Sequence, residues 1–161
     1  MTIEIVRVDY HDETQGKQLV ELLNNYAQDP MGGAEPLAKA TQQQLTGELA
    51  KRSDAISLIA YVGDQPAGLL NAFEGFSTFK AKPLLNVHDI AVNPEFRGLG
   101  LSHKLLDALE AIGRERGCCK MTLEVLSGNT VACASYRKFG FSPYELDPKM
   151  GGAEFWEKPL N

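Results

Sequence analysis

Apolar positions along the chain follow two rhythms. Runs dense in aliphatic and β-branched residues, bounded by Gly, Pro, Asn or Asp, occur at Thr2 to Val8, Ile56 to Val62, Pro66 to Phe76, Leu85 to Val92 and Met121 to Leu126; each predicts a strand. A 3.6-residue spacing appears in His11 to Gln28, where Leu19, Leu22, Leu23 and Tyr26 share a face behind Asp12 as a cap, and more weakly in Leu37 to Arg52. It is clearest in Leu101, Leu105, Ala108, Leu109 and Ile112, one face of a helix that Gly117 ends with Arg114 and Arg116 in its last turn. A short helix opens at Ser127-Gly128-Asn129, carries Ala132, Tyr136 and Phe139 on one face and stops at Gly140. Phe141 to Leu146 and Ala153 to Lys158 predict a sixth and a seventh strand.

The punctuation between these runs fixes their connections. Gly63-Asp64-Gln65 is a short hairpin link, and Asp29-Pro30-Met31-Gly32-Gly33 is too rich in breakers to continue a helix. The expected order is β-α-α-β-β-β-α-β-α-β-β. That is an α/β (α+β mixed) fold with a mostly antiparallel sheet of six to seven strands flanked by helices, not a series of parallel crossover units.

Composition narrows the picture a little. The 161 residues suit a single domain over 1–161 with a sizeable core, and 43% hydrophobic with 23% charged residues is ordinary for a globular chain. A net charge of −5 argues against nucleic acid or an anionic membrane as partner. No secretory signal and no bilayer-length apolar run is present, so a cytoplasmic location is expected. Cys118, Cys119 and Cys133 are an odd count without metal-ligand spacing, expected to be packed, reduced thiols; no metal is expected.

The chemistry is concentrated where the strand Leu85 to Val92 passes Asn93-Pro94 and turns through Arg97-Gly98-Leu99-Gly100 into the helix of Leu101 and Ser102. Two residues without Cβ allow a tight turn and close approach of a ligand to the backbone. The first helical amides have no intrahelical partners and carry the positive end of the macrodipole, so an anion such as a pyrophosphate suits them. A third Gly for a dinucleotide site is absent, since His103 stands there, and the Lys of an ATP-binding loop is missing. On the glycines alone, a tight turn before an ordinary helix is an equal reading.

The pattern Arg97-Gly98-Leu99-Gly100-Leu101-Ser102 after Ile90-Ala91-Val92 resembles the acyl-CoA-binding motif of the GNAT superfamily of N-acyltransferases. A second segment, Asn129, Ala132, Tyr136 and Phe139-Gly140-Phe141, is similar to that family's later strand-helix pair in residue and spacing. The resemblance implies acetyl-CoA between splayed fourth and fifth strands. It would be held by backbone groups of Ile90, Ala91 and Val92, by amides of Arg97 to Ser102, and by Asn129. It also implies Tyr136 as the acid that protonates the departing thiolate, and direct attack of an amine in a ternary complex.

A neutral amine must lose a proton on attack, and the central strand offers Asn86, His88 and Asp89 for this. His88 is preferred, because an imidazole accepts a proton near neutral pH and family members that acetylate arylalkylamines resemble this chain in a histidine here. Other members carry a glutamate where Asn86 stands. In a regular strand His88 and Asp89 face opposite ways, so only a bulge brings both to one site. A core aromatic is the alternative for Tyr136, and a structural histidine for His88.

The resemblance places acceptor contacts in the loop between the first two helices, the third strand and the last hairpin, where Asp29, Glu74, Phe76 and Trp156, with Asp89 of the central strand, could hold an ammonium by charge and cation–π contact. The expected acceptor is a small-molecule primary amine; a protein or peptide amine, or a non-catalytic acyl-CoA-binding module, are the alternatives. The apolar last strands could pair between subunits in a homodimer.

Overall fold

The computed structural model describes residues 1–161, which group into two compact parts, Met1–Leu123 and Glu124–Asn161. The first part holds a five-stranded sheet in the order β1-β2-β3-β4-β5, with β1 Ile3–Arg7, β2 Ala55–Val62, β3 Gln65–Ser77, β4 Lys82–Val92 and β5 Met121–Leu123. The first three pairings are antiparallel and β4 with β5 is parallel. Helices α1 Glu13–Ala27, α2 Lys39–Ala50 and α3 Leu101–Glu115 complete it.

Side-chain alternation sorts the sheet into two faces. On one, Ala55, Ile59 and Leu69 pack with Val8, Leu19, Leu22 and Leu49, so α1 and α2 cover this side. On the other, Ile56, Leu58, Leu70, Leu85 and Val87 are buried, and α3 contributes Leu101, Leu105, Leu106 and Leu109. Burying each of those leucines is worth about 2 kcal/mol. Gly113 of α3 lies so close to Leu85 that a Cβ would meet its Cδ1 at 3.2 Å. Asp12 caps α1, its Oδ1 accepting from Gln15 N at 3.1 Å, as the sequence predicts.

One register irregularity matters for the rest. Asn71 of β3 stands opposite Asp89, but the next residue, Ala72, stands opposite Val87, so His88 is an extra residue in β4. That is a β-bulge.

The second part contains α4, Thr130–Phe139, and a 3-10 turn at Pro148–Met150. The sixth and seventh strands expected at Phe141 to Leu146 and Ala153 to Lys158 do not form; the sheet has five strands. Only an isolated bridge, Glu145 to Gly152, and one bond from Ala153 N to Tyr144 O at 3.2 Å remain of that hairpin. Pro143, Pro148 and Pro159 cannot donate to a ladder, Gly151 turns at φ 83°, and every residue from Ser142 onward is exposed, which leaves no buried face to fix a register. The fifth strand is also shorter than expected, ending at Leu123 rather than Leu126.

The cysteines depart from the packed thiols expected. Cys119 is exposed in the turn after α3, and Cys118 and Cys133 are half-buried. No helix is long and apolar enough to cross a membrane.

Candidate active site

The Arg97 to Ser102 turn has the shape of an open cradle. A 3-10 turn at Pro94–Phe96 leads out of β4, Gly98 and Gly100 adopt φ of 83° and 74°, and α3 starts at Leu101 with no side chain capping it. A Cβ built on either glycine meets no atom within 4 Å. The glycines are therefore required by backbone conformation and not by lack of room for a side chain. Gly100 O accepts from Lys104 N at 3.1 Å, so the amides of Leu101 and Ser102 precede the first helical bond. These residues fit a pyrophosphate.

The strand that feeds the cradle has a bare edge. Parallel pairing with β5 covers only Leu85, Asn86 and Val87, so Ile90, Ala91 and Val92 have β3 on one side and no strand on the other. An extended ligand could add to that edge through the backbone.

Behind this edge, on the α1 and α2 side, lies a cavity of about 360 Å³. Its polar lining is His88, Asp89, Asn71 and Tyr26, with Phe73 and leucines of α1 and α2 supplying an apolar wall. The bulge is what puts His88 and Asp89 together, since neighbours in a regular strand point to opposite faces. The His88 ring meets the Phe73 ring edge-on, centroids 5.4 Å apart, and the Arg52 guanidinium lies 5.6 Å from the same Phe73 ring. Asn71 Nδ2 donates to Asp89 Oδ2 at 3.1 Å. Burial, then the charges of Asp89 and Asp29, push the Tyr26 phenol up, so it stays a neutral donor at ordinary pH.

Other residues singled out in the sequence lie elsewhere. Asp29 caps the 3-10 turn Pro30–Met31–Gly32, its Oδ1 accepting from Met31 N at 2.9 Å. Glu74 stands opposite Leu85, on the α3 face away from the cavity, and pairs with Arg116 at 3.1 Å. Phe76 shares that face and is exposed. In the second part, Trp156 is exposed and donates from Nε1 to Glu154 Oε1 at 3.3 Å. Asn129 caps α4, its side-chain oxygen accepting from Ala132 N at 3.2 Å, and Tyr136 packs edge-on to Phe141 with centroids 6.0 Å apart. No group of three or more His, Cys, Asp or Glu side chains is placed to hold a metal ion.

Sequence reasoning missed Asn71, and it took Tyr26 only for part of a helix's apolar face. A polar residue inside the aliphatic run Leu69-Leu70-Asn71-Ala72 was the available signal.

Residues 19–141 match the model of the acetyltransferase (GNAT) family. The chain belongs to that family. Among GNAT relatives it is similar to the thialysine N-epsilon-acetyltransferase of Caenorhabditis elegans, 32% identical over 48% of this chain and 48% of that protein. It is also similar to the streptothricin acetyltransferase of Streptomyces lavendulae, 32% identical over 65% of this chain and 53% of that protein. The match thus spans only about half the length of these curated relatives. Among solved structures, the aminoglycoside acetyltransferase AAC(6')-Iy in complex with a bisubstrate analog superposes with a TM-score of 0.79 at 18% identity, covering 99% of this chain and 100% of that one. A probable acetyltransferase follows at 0.78 and 20% identity, covering 98% of each chain. These structures establish the GNAT fold.

Proposed function

We propose that this chain is an acetyl-CoA-dependent N-acetyltransferase that moves the acetyl group to a primary amine of a small molecule by direct attack in a ternary complex. The observation that carries this reading is the bulge at His88, which sets an imidazole and a carboxylate in one cavity on the strand that leads into the cradle. Acetyl-CoA supplies a thioester carbonyl for the amine to attack. The residues of this chain bind, orient and handle protons. Amides from Arg97 to Ser102 hold the pyrophosphate, backbone groups of Ile90, Ala91 and Val92 hold the acyl arm, and Asn129 offers its side-chain amide to the same arm. Asp89 draws the acceptor's ammonium into the cavity, and Tyr26, Phe73 and the leucines limit its size. His88 takes the proton that the amine must lose. Tyr136 returns a proton to the departing thiolate.

An amine acceptor fits the relatives, which are named for thialysine, streptothricin and aminoglycosides. The test is thiol release from acetyl-CoA by the purified protein against a panel of amines, with acetyl-CoA binding followed by calorimetry. Amine-dependent release supports the reading. Binding with no release across small amines and peptides would favour a non-catalytic binding module, and no binding would overturn the cradle.

A further inference from the structure

We propose that Tyr10, Ser57 and Asn71 form a buried line of hydrogen bonds that holds and aims the Asp89 carboxylate for the acceptor amine, making all three positioning residues of the acceptor site. The inference rests on the reading of Asp89 as the partner of the ammonium.

The line starts outside the cavity and ends in it. Tyr10 Oη lies 2.7 Å from Ser57 Oγ, Ser57 Oγ lies 2.6 Å from Asn71 Oδ1, and Asn71 Nδ2 lies 3.1 Å from Asp89 Oδ2. Ladder pairing places these groups side by side, because Ser57 of β2 is opposite Asn71 of β3 and Asn71 is opposite Asp89 of β4. The bulge at His88 is what brings Asp89 into that register.

Chemistry assigns every proton along the way. An ionised carboxylate only accepts, so the Asn71 amide must turn its nitrogen to Asp89 and its oxygen to Ser57. The single Ser57 proton then goes to Asn71, which leaves Tyr10 as donor to Ser57. The Tyr10 phenol suits that task, since burial pushes it up despite the bond to Ser57 and the charge of Arg7. Reversing any one link would set oxygen against carboxylate at the far end. The charge on Asp89 and the orientation of the whole line support each other.

Packing alone does not call for these groups. Ser57 is 1% exposed and Asn71 4%, on a sheet face whose neighbours Ala55, Ile59 and Leu69 are apolar. A buried hydroxyl and amide are costly unless each is fully bonded, and here their bonds run to one cavity-lining acid. The Asp89 carboxylate takes its side-chain hydrogen bond from Asn71 through Oδ2, which leaves Oδ1 for a ligand.

The experiment compares Tyr10→Phe, Ser57→Ala, Asn71→Ala and Asp89→Asn. The probe is whichever of sisomicin, streptothricin, thialysine and spermidine gives the fastest thiol release. The expected result is a graded rise in KM for the amine: tenfold or more for Asn71→Ala, several-fold for Ser57→Ala and about twofold for Tyr10→Phe, each larger than the change in kcat. Acetyl-CoA affinity by calorimetry stays near the wild-type value, which also shows that each variant is folded; should Asn71→Ala fail to fold, the other two carry the gradient. Ser57→Thr, which keeps the hydroxyl, restores the KM that Ser57→Ala loses. A second readout needs no acceptor: the side-chain amide resonances of Asn71 shift in both Asp89→Asn and Tyr10→Phe. The line is overturned if those resonances ignore Tyr10→Phe, or if Asn71→Ala leaves the amine KM unchanged while Asp89→Asn raises it. An unchanged KM in Asp89→Asn, or no turnover of any probe, removes the acceptor reading itself and the proposal with it.

Discussion

Asp29 Oδ2 lies 3.8 Å from Arg97 Nη2, an ion pair that ties the loop after α1 to the loop before α3. Asn25 Nδ2 donates to Asn93 Oδ1 at 3.5 Å beside it. Arg97 is exposed and Asp29 half-buried at the surface, so the pair contributes about 1 kcal/mol or less to stability. On the proposed reading of the cradle, the Asp29 carboxylate would compete with an incoming pyrophosphate for the Arg97 guanidinium. Asp29→Asn is expected to tighten acetyl-CoA binding by up to about fivefold, with a gain that shrinks as salt is raised. Titration calorimetry at two ionic strengths reads this, and weaker binding would show that Asp29 helps to hold the cradle instead.

Gly100 provides a second, independent probe of the cradle. Its φ of 74° is costly for any residue with a Cβ, yet a Cβ there meets nothing within 4 Å. Gly100→Ala should therefore destabilise by about 1–2 kcal/mol through the backbone alone, a fall in Tm of about 2–8 °C. Acetyl-CoA affinity should fall by about tenfold or more as the amides turn away. A stable variant with unchanged affinity would mean that the left-handed turn is not needed for the ligand.

Tyr26 reports on the charges in the cavity. Its phenol is raised above the ordinary value of 10.0 by burial first and then by Asp89 and Asp29. A raised acid is favoured in its neutral form by the fold, so its contribution to stability is fully present below the unfolded-state value and is lost as pH rises through the folded one. Stability should fall in alkali partly for this reason, and Asp89→Asn should bring the Tyr26 titration closer to that of a free tyrosine. Ultraviolet difference spectra of wild type, Tyr26→Phe and Asp89→Asn separate the step.

Tyr136→Phe tests the proposed proton donor in the second part of the chain. If the hydroxyl returns a proton to the leaving thiolate, kcat should fall by about 10²-fold, in the range of general acid catalysis, while acetyl-CoA affinity changes little. Steady-state kinetics with calorimetry distinguishes this from a packing role beside Phe141, which would lower both together.

The cradle was legible because its chemistry is local: a strand, two glycines and an amphipathic helix lie within Leu85 to Leu109, and each leaves its own pattern. The cavity was not, because it depends on register. Ser57, Asn71 and Asp89 are far apart in sequence and meet only through ladder pairing, and nothing in the residues around His88 signals a bulge. Glu74 and Phe76 were named beside Asp89 as acceptor contacts, but alternation along β3 carries them to the α3 face. The last two strands were read from Phe141, Tyr144, Phe155 and Trp156, whose apolar character says nothing of a burying surface. All four are left partly or fully exposed.

Val87 pairs with Ala72 and Asp89 with Asn71, and those two positions of β3 are consecutive. A chain lacking His88 would still satisfy both pairings, and with a straighter strand. The sheet is complete without that residue. The imidazole, packed edge-on against Phe73, sits on a surplus link. If His88 is the base, as proposed, binding and chemistry are separable by a single excision: the framework would close over the gap, and what left with His88 would be the proton's destination.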